Sequence, residues 1–276
     1  MNRPLEKSAP GARVIVIAIT LIAIAVVFFL PRMAQDPAYH NFADQRSLLG
    51  IPNFLNVISN LPFAFVGVLG LRALLGKRTG ATISFLDARE RWPYVVFFLG
   101  VALTSIGSSY YHLAPDNERL VWDRLPMTLG FMSIFAAVIS ERVALTLGRR
   151  LLIPLLALGL VSVLYWQLSE RDGAGDLRLY GIVQFYPLVM IPLMLAMFPP
   201  RYTRGADMVY ALILYGGAKV LELMDAMIFS AGQIISGHSL KHVTAAAASY
   251  WILVMLKKRE ILAHSTEPAY PASSEK

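Results

Sequence analysis

Long apolar runs alternate with short polar segments along most of the chain. Runs of about twenty apolar residues are long enough for a helix to cross a bilayer, and the pattern predicts eight such spans. The spans cover about 14–31, 53–75, 93–113, 119–140, 151–167, 179–199, 206–229 and 237–256. The pattern therefore predicts an all-α fold, a polytopic transmembrane helix bundle.

The composition supports a membrane protein. Hydrophobic residues make up 56% of the chain and charged residues only 16%, a balance that soluble domains rarely show. The segments between the spans are too short for a separate globular domain. Cysteine is absent, which excludes disulfides and cysteine-based metal or nucleophile chemistry.

The basic residues predict the orientation in the membrane, since Lys and Arg are enriched in cytoplasmic loops near span ends. With the N-terminus inside, sixteen Lys and Arg residues fall on the cytoplasmic side and six on the other. An even number of spans also returns the C-terminal "KKRE" to the cytoplasm. The Lys and Arg residues behind the net charge of +7 are therefore explained by the membrane topology. They leave no basic patch on which a nucleic acid could bind.

The first span resembles a signal sequence in layout, but it is long for one and lacks a clear cleavage site. We therefore expect a retained helix. The predicted division of the chain is a cytoplasmic N-terminus with an extra helix at 1–35, a seven-helix core at 36–260, and a disordered cytoplasmic tail at 261–276.

Three histidines fall at the outward ends of predicted helices. His112 closes the third span, while His238 and His242 open the eighth and lie one helical turn apart on one face. Alone, this pair is a weak motif, and hydrogen bonds to neighbouring helices are the simpler explanation. A third histidine at the same depth favours zinc, because three imidazoles with an open position are typical of catalytic sites. His40 and His264 are expected to be solvated.

Two further polar residues lie near His112. Ser108 precedes it by one helical turn, and for an isolated serine there a hydrogen bond to the Thr104 carbonyl is the expected role. Asp123 opens the fourth span, where it could serve the helix dipole or pair with Arg124. Ionisable groups at membrane depth are costly, so Asp123 is also a candidate functional residue.

A charged cluster lies in the seventh span, where Lys219, Glu222 and Asp225 follow one another at three-residue steps. Charge compensation between helices is the favoured interpretation for Lys219 and Glu222. A proton or cation path is the alternative.

Taken together, these motifs resemble the alkaline ceramidase family. The resemblance is carried by "GSSYYHLAPDNERLVWDRLPM", "GHSLKH" and "FLNVISN" and extends from about residue 39 to 256. The family belongs to a superfamily of seven-span membrane hydrolases that includes the adiponectin and progestin receptors. The resemblance implies zinc held by His112, His238 and His242, with Ser108 and Asp123 as catalytic groups.

The resemblance further implies hydrolysis of the amide bond of ceramide or a related N-acyl lipid to a free fatty acid and a long-chain amine. The implied partners are this substrate and membrane lipids, and the oligomeric state is left open. Two features depart from the family: the extra first helix, and Asn53 where a Glu of a calcium site is expected. Asp44 remains, so calcium is possible but doubtful. A metal-containing receptor or a cation transporter is the alternative function.

Overall fold

The computed structural model describes residues 10–76 and 83–263. This part of the chain folds into α-helices without a β-strand, which confirms the all-α class expected from the sequence. The helices are α1 (Pro10–Phe29), α2 (Phe54–Ile58), α3 (Leu61–Leu75), α4 (Arg91–Leu113), α5 (Asn117–Val138), α6 (Leu145–Arg171), α7 (Arg178–Met197), α8 (Ala206–Leu223), α9 (Asp225–Gly232) and α10 (Gly237–Lys258). Short 3-10 turns occupy Pro37–His40 and Ala88–Glu90, and a π-helical turn follows α5 at Ile139–Val143.

Seven of the described helical segments, with α2 and α3 counted as one, are long and apolar enough to cross a membrane. They include α1, the extra helix. The expected span at 206–229 is not among them, because α8 carries Asp207, Lys219 and Glu222. It nevertheless packs along α10 inside the bundle.

Two expected spans are interrupted in the structure. The span at 53–75 breaks between α2 and α3, where the Asn60 side chain donates to the Asn56 carbonyl at 2.8 Å and Pro62 cannot donate to the preceding turn. The span at 206–229 breaks at Met224, between α8 and α9. Both breaks lie beside α10, so they bring irregular backbone to the site described below.

The core helices pack as a bundle with α1 at its edge. The most extensive contacts are those of α4 with α5 and α3, of α10 with α8, and of α5 with α6. Helix α1 packs mainly on α7, and most of its side chains are exposed. The helix that the sequence sets apart from the core is therefore also the least enclosed.

Buried charges tie the helix ends together at the side of the bundle opposite the histidines. Arg259 donates to Glu141 at 2.5 Å, and Tyr94 donates to the same carboxylate at 2.9 Å. Glu90 pairs with Arg201 at 3.3 Å. Because buried charges are stable only when paired, this cluster fixes the far end of the bundle.

Candidate metal and catalytic site

The three histidines singled out in the sequence meet inside the bundle. One ligand nitrogen from each of His112, His238 and His242 lies within 4.8 Å of the other two, and all three side chains are at most 3% exposed. The Nε2 atoms of His112 and His238 are 3.3 Å apart. Among the described residues, no acidic or fourth histidine side chain completes this group.

The start of α10 positions two of these histidines. Ser236 caps the helix by accepting a hydrogen bond from the Ser239 amide, so His238 and His242 project from the first two turns. The Asp225 carboxylate accepts hydrogen bonds from the amides of His238 (2.8 Å) and Ala43 (2.9 Å). Asp225 therefore anchors α10 and the segment before α2, a structural role that the sequence did not suggest.

His112 is held by a residue from another segment. The Asn53 side chain donates to the His112 carbonyl at 2.9 Å, from a backbone position in the left-handed region with φ of 47°. The Phe42 ring packs on His112 and His238, with centroids 4.6 and 4.4 Å away. Asn53 thus fixes the backbone at His112, and Phe42 packs against two of the three imidazoles.

The donor set fits zinc. Two imidazole nitrogens bound to a tetrahedral zinc at about 2.0–2.1 Å lie about 3.3 Å apart, which matches the separation between His112 and His238. The Ser59 hydroxyl lies 2.8 Å from Nδ1 of His242, so its Nε2 is left for a metal. Such an outer partner is typical of metal-binding histidines.

Ser108 and Asp123 lie beside the histidines. Both are buried, and the Ser108 hydroxyl contacts the Asp123 carboxyl group instead of serving only its own helix. The close approach of α4 and α5 brings them together, because Gly107 lies against the Trp122 carbonyl where any Cβ would overlap it. The structure thus places these two side chains beside each other across two helices.

The simpler roles considered for Asp123 belong to other residues. Asp116 caps α5 by accepting a hydrogen bond from the Arg119 amide at 2.6 Å. Arg124 donates to Gln35 at 2.5 Å, and its guanidinium lies over the Trp166 ring, 4.1 Å from the centroid. Asp123 therefore remains directed toward the site.

The charges of α8 form a local cluster beside the histidines. Glu222 pairs with Lys219 on its own helix and with Lys241 of α10 at 2.6 Å. The pair with Lys241 is the charge compensation between helices that was expected for Glu222, whereas Lys219 is compensated within its own helix. Sequence reasoning missed Lys241, although it lies between the two histidines in "HSLKH". The cluster sits at one depth, and so it does not form a path across the bundle.

His40 was expected to be solvated, and this expectation was wrong. Its ring nitrogens lie 2.9 Å from the Tyr111 hydroxyl and 3.0 Å from the Asn117 side-chain oxygen. The 3-10 turn at Pro37–His40 folds over the ends of α4 and α5, which brings the ring into contact. His264 lies outside the described residues.

Asp44, the remaining candidate for a calcium site, is paired with an arginine. Arg46 donates to both carboxylate oxygens of Asp44 at 2.8 Å and to the backbone carbonyls of Gln233 and Ile234. This guanidinium lowers the pKa of the Asp44 carboxyl group. The charge of Asp44 is therefore already balanced, and its structural role is to hold the loop before α10.

A cavity of about 670 Å³ extends from the site into the bundle. Ser108, Asp123 and His242 line it near one end of the helices. Towards the other end its walls are apolar, with side chains from α4, α5, α7, α8 and α10. Pockets of this size hold small ligands or parts of lipids, so the polar group lies at the head of an apolar compartment.

A comparison with known protein families identifies the family of the chain. The ceramidase family model matches residues 49–272. The chain belongs to the ceramidase family. Membership identifies it as a multi-pass membrane protein of a hydrolase family that acts on amide bonds, and it confirms the family that the sequence motifs predicted. No curated protein matches the chain significantly. The matched region begins after α1, so this helix lies outside the match.

Proposed function

We propose that this ceramidase-family chain is a zinc-dependent integral membrane amidase that cleaves ceramide or a related N-acyl lipid. The products are a free fatty acid and a long-chain amine. The observation that carries the proposal is the convergence of three buried histidines next to an apolar cavity whose polar head is lined by His242, Ser108 and Asp123.

His112, His238 and His242 are the proposed zinc ligands. Zinc held by three imidazoles supplies a water of lowered pKa and an electrophile for the amide carbonyl. The protein contributes ring contacts from Ser59 and Phe42, a backbone contact from Asn53, and burial that strengthens charge interactions at the site.

Asp123 is the proposed general base and acid. Its carboxylate takes a proton from the attacking water as the new C–O bond forms at the acyl carbon. It then returns a proton to the amide nitrogen as the C–N bond breaks, because an amine must be protonated to leave. The position of Asp123 in the cavity lining, beside Ser108 and His242, supports this role.

Ser108 is the proposed donor to the oxygen that gains negative charge during the attack. A well-placed donor of this kind contributes about 3 kcal/mol. Ser108 contacts Asp123, so its single hydroxyl proton would turn from the carboxylate to this oxygen. Because a metal held by the three histidines would also stabilise this oxygen, loss of Ser108 should cost less than loss of Asp123.

The position of the cavity accounts for the substrate class. Its polar head lies near one end of the helices, and its apolar walls continue inward. A lipid amide placed at the membrane boundary would present its carbonyl to the histidines while an acyl chain enters the apolar part. This arrangement suits N-acyl lipids better than water-soluble amides.

The test is hydrolysis by the purified, zinc-loaded protein in detergent or lipid. Ceramide and a panel of other N-acyl lipids are supplied, and the fatty acid is measured by mass spectrometry. We expect fatty acid release that a chelator abolishes and zinc restores. Absence of release from every N-acyl lipid by protein of full zinc content would contradict the proposal and favour a receptor-like role.

A further inference from the structure

Helix α1 forms part of the cavity wall, although it lies outside the matched ceramidase region at 49–272. The side chains of α1 that line the cavity share one face of the helix and include Ile19, Ala23, Val26 and Val27, and Leu30 directly after the helix continues this face. The opposite face carries strongly exposed apolar side chains, with Leu21 61% and Phe28 79% exposed. The helix therefore separates the cavity from the lipid side.

The cavity needs an additional wall at the boundary between α7 and α8. Helix α7 packs on α1, α5 and α6, while α8 packs on α10. Long side chains bridge the two helices, with Gln184 donating to the Tyr215 hydroxyl at 2.8 Å. Long side chains, and not close backbone packing, therefore join α7 and α8. Helix α1, which lies beside α7, encloses the cavity at this boundary.

Polar contacts hold α1 in this position. Thr20 and Tyr186 hydroxyls are 2.6 Å apart in the middle of the helix. At its C-terminal end, Arg178 donates to the carbonyls of Val27 at 2.9 Å and Leu30 at 2.5 Å. These contacts join α1 to α7 at two levels, so the inward face of α1 keeps a fixed register against the cavity.

We propose that α1 is a specificity element that forms one wall of the acyl-chain compartment, and that Ala23 sets the length of chain the compartment accepts. The inference rests on the proposed hydrolysis of N-acyl lipids. Ala23 lies seven residues before Leu30, about 10 Å deeper along the helix. Its small side chain leaves space at this depth, whereas a larger one would close the compartment below the polar head.

The test compares two tryptophan variants of one helix. Ala23→Trp places the ring in the cavity, and Ala25→Trp places it on the exposed face of α1. Each variant and the unaltered protein are assayed with an octanoyl and a stearoyl amide of the same amine. We expect Ala23→Trp to lower kcat/KM for the stearoyl amide by about tenfold or more relative to the octanoyl amide. Ala25→Trp should keep the ratio of the unaltered protein.

The ratio of the two activities separates specificity from folding, because a misfolded variant loses both substrates together. Ala23→Leu provides a smaller step and should give an intermediate ratio. An unchanged ratio in Ala23→Trp and Ala23→Leu would overturn the inference while leaving the proposed hydrolysis intact. Inactivity of the unaltered protein towards both amides would instead contradict the proposed function.

A second measurement does not depend on turnover. Stearic acid carrying a photoactivatable group in its chain is bound to the purified protein, irradiated, and located by peptide mass spectrometry. We expect labelling within α1 on the cavity face, lost in Ala23→Trp and kept in Ala25→Trp. Labelling confined to α3 and α4 would overturn the assignment of α1 as a wall of the compartment.

Discussion

At the residue scale, the site depends on contacts between segments far apart in the sequence. The histidine rings come from α4 and α10, and residues between α1 and α3 contact them: Ser59 and Phe42 touch the rings, and Asn53 holds the His112 backbone. Outer contacts of this kind commonly change metal affinity by 10- to 100-fold, so they count as part of a metal site. The proposed ligands can therefore be tested separately from the residues proposed for proton transfer.

The first prediction concerns the metal ligands. His238→Ala should lose most of the zinc that the unaltered protein retains, because two imidazoles rarely hold what three hold. His40→Ala is the matched control, since His40 is a nearby histidine that contacts Tyr111 and Asn117 instead of the triad. Elemental analysis of both purified variants checks the prediction. Full zinc in His238→Ala would remove this histidine from the site.

The second prediction separates the roles of Asp123 and Ser108. Asp123→Asn and Ser108→Ala should both keep zinc, yet both should lose turnover of an N-acyl lipid. The aspartate variant should lose more, because proton transfer is needed twice, whereas removal of one oxyanion donor typically costs about 10²–10³-fold in kcat. Single-turnover kinetics with metal analysis checks this order. Near-normal activity of Asp123→Asn would require another base.

The catalytic roles of Ser108 and Asp123 were implied by the family resemblance, whereas the convergence of the three histidines could be predicted from their positions. Each histidine lies one helical turn from another, or at a helix end that topology brings to the same side of the membrane. The supporting contacts could not be predicted in this way. Ser59 reaches His242 only because the helix breaks at Ser59–Asn60, and Lys241 gains its role only through Glu222 on α8.

At the scale of elements, close helix packing positions the catalytic groups. Gly107 of α4 faces the Trp122 carbonyl of α5 with no room for a Cβ, whereas Gly130 of α5 faces open space. The sequence predicted both helices from their apolar runs. It could not distinguish the two glycines, since the difference depends on how the helices approach each other.

The third prediction uses this pair of glycines. Gly107→Ala should destabilise the protein by about 1–3 kcal/mol through overpacking and should separate Ser108 from Asp123, lowering activity. Gly130→Ala should be neutral or stabilising by up to about 1 kcal/mol, because alanine favours a helix interior. Thermal unfolding and activity of the two variants are compared with the unaltered protein. Equal effects of both substitutions would rule out close packing at Gly107 as the cause.

The fourth prediction concerns the attachment of α1 at low pH. Arg178 binds the Asp176 carboxylate at 2.7 Å, lowers its pKa to about 2, and donates to two carbonyls at the end of α1. An unperturbed Asp has a pKa of about 3.9, so the unfolded chain takes up the proton first. The stabilisation is therefore complete above about pH 4 and is lost as the pH falls through about 2.

Thermal unfolding measured across this pH range checks the fourth prediction. The unaltered protein should lose more stability towards low pH than Asp176→Asn, which lacks the titrating group. Asp172→Asn, at an exposed position of the same loop, should behave like the unaltered protein. Identical pH profiles for the unaltered protein and Asp176→Asn would show that this pair does not stabilise the fold.

At the scale of the whole molecule, two groups of buried polar side chains lie at opposite ends of the bundle. The histidines, Asp123 and the head of the cavity lie at one end, and the cluster around Glu141 and Arg259 lies at the other. The positions of apolar and polar residues were enough to predict a helical bundle with the histidines at one end and most basic residues at the other. They could not predict the breaks at Ser59–Asn60 and Met224, because side-chain hydrogen bonds and packing on α10 set these breaks.

The last prediction concerns which end of the bundle faces the cytoplasm. Because basic residues concentrate on cytoplasmic segments, we expect the end with Arg259 in the cytoplasm and the site on the outer side. The chain has no native cysteine, so single cysteines report accessibility directly. A membrane-impermeant maleimide should label Ala114→Cys, in the turn between α4 and α5, in intact cells, and Lys258→Cys, at the end of α10, only after permeabilisation. The reverse pattern would place the site on the cytoplasmic side and would require its lipid substrate to come from the inner leaflet.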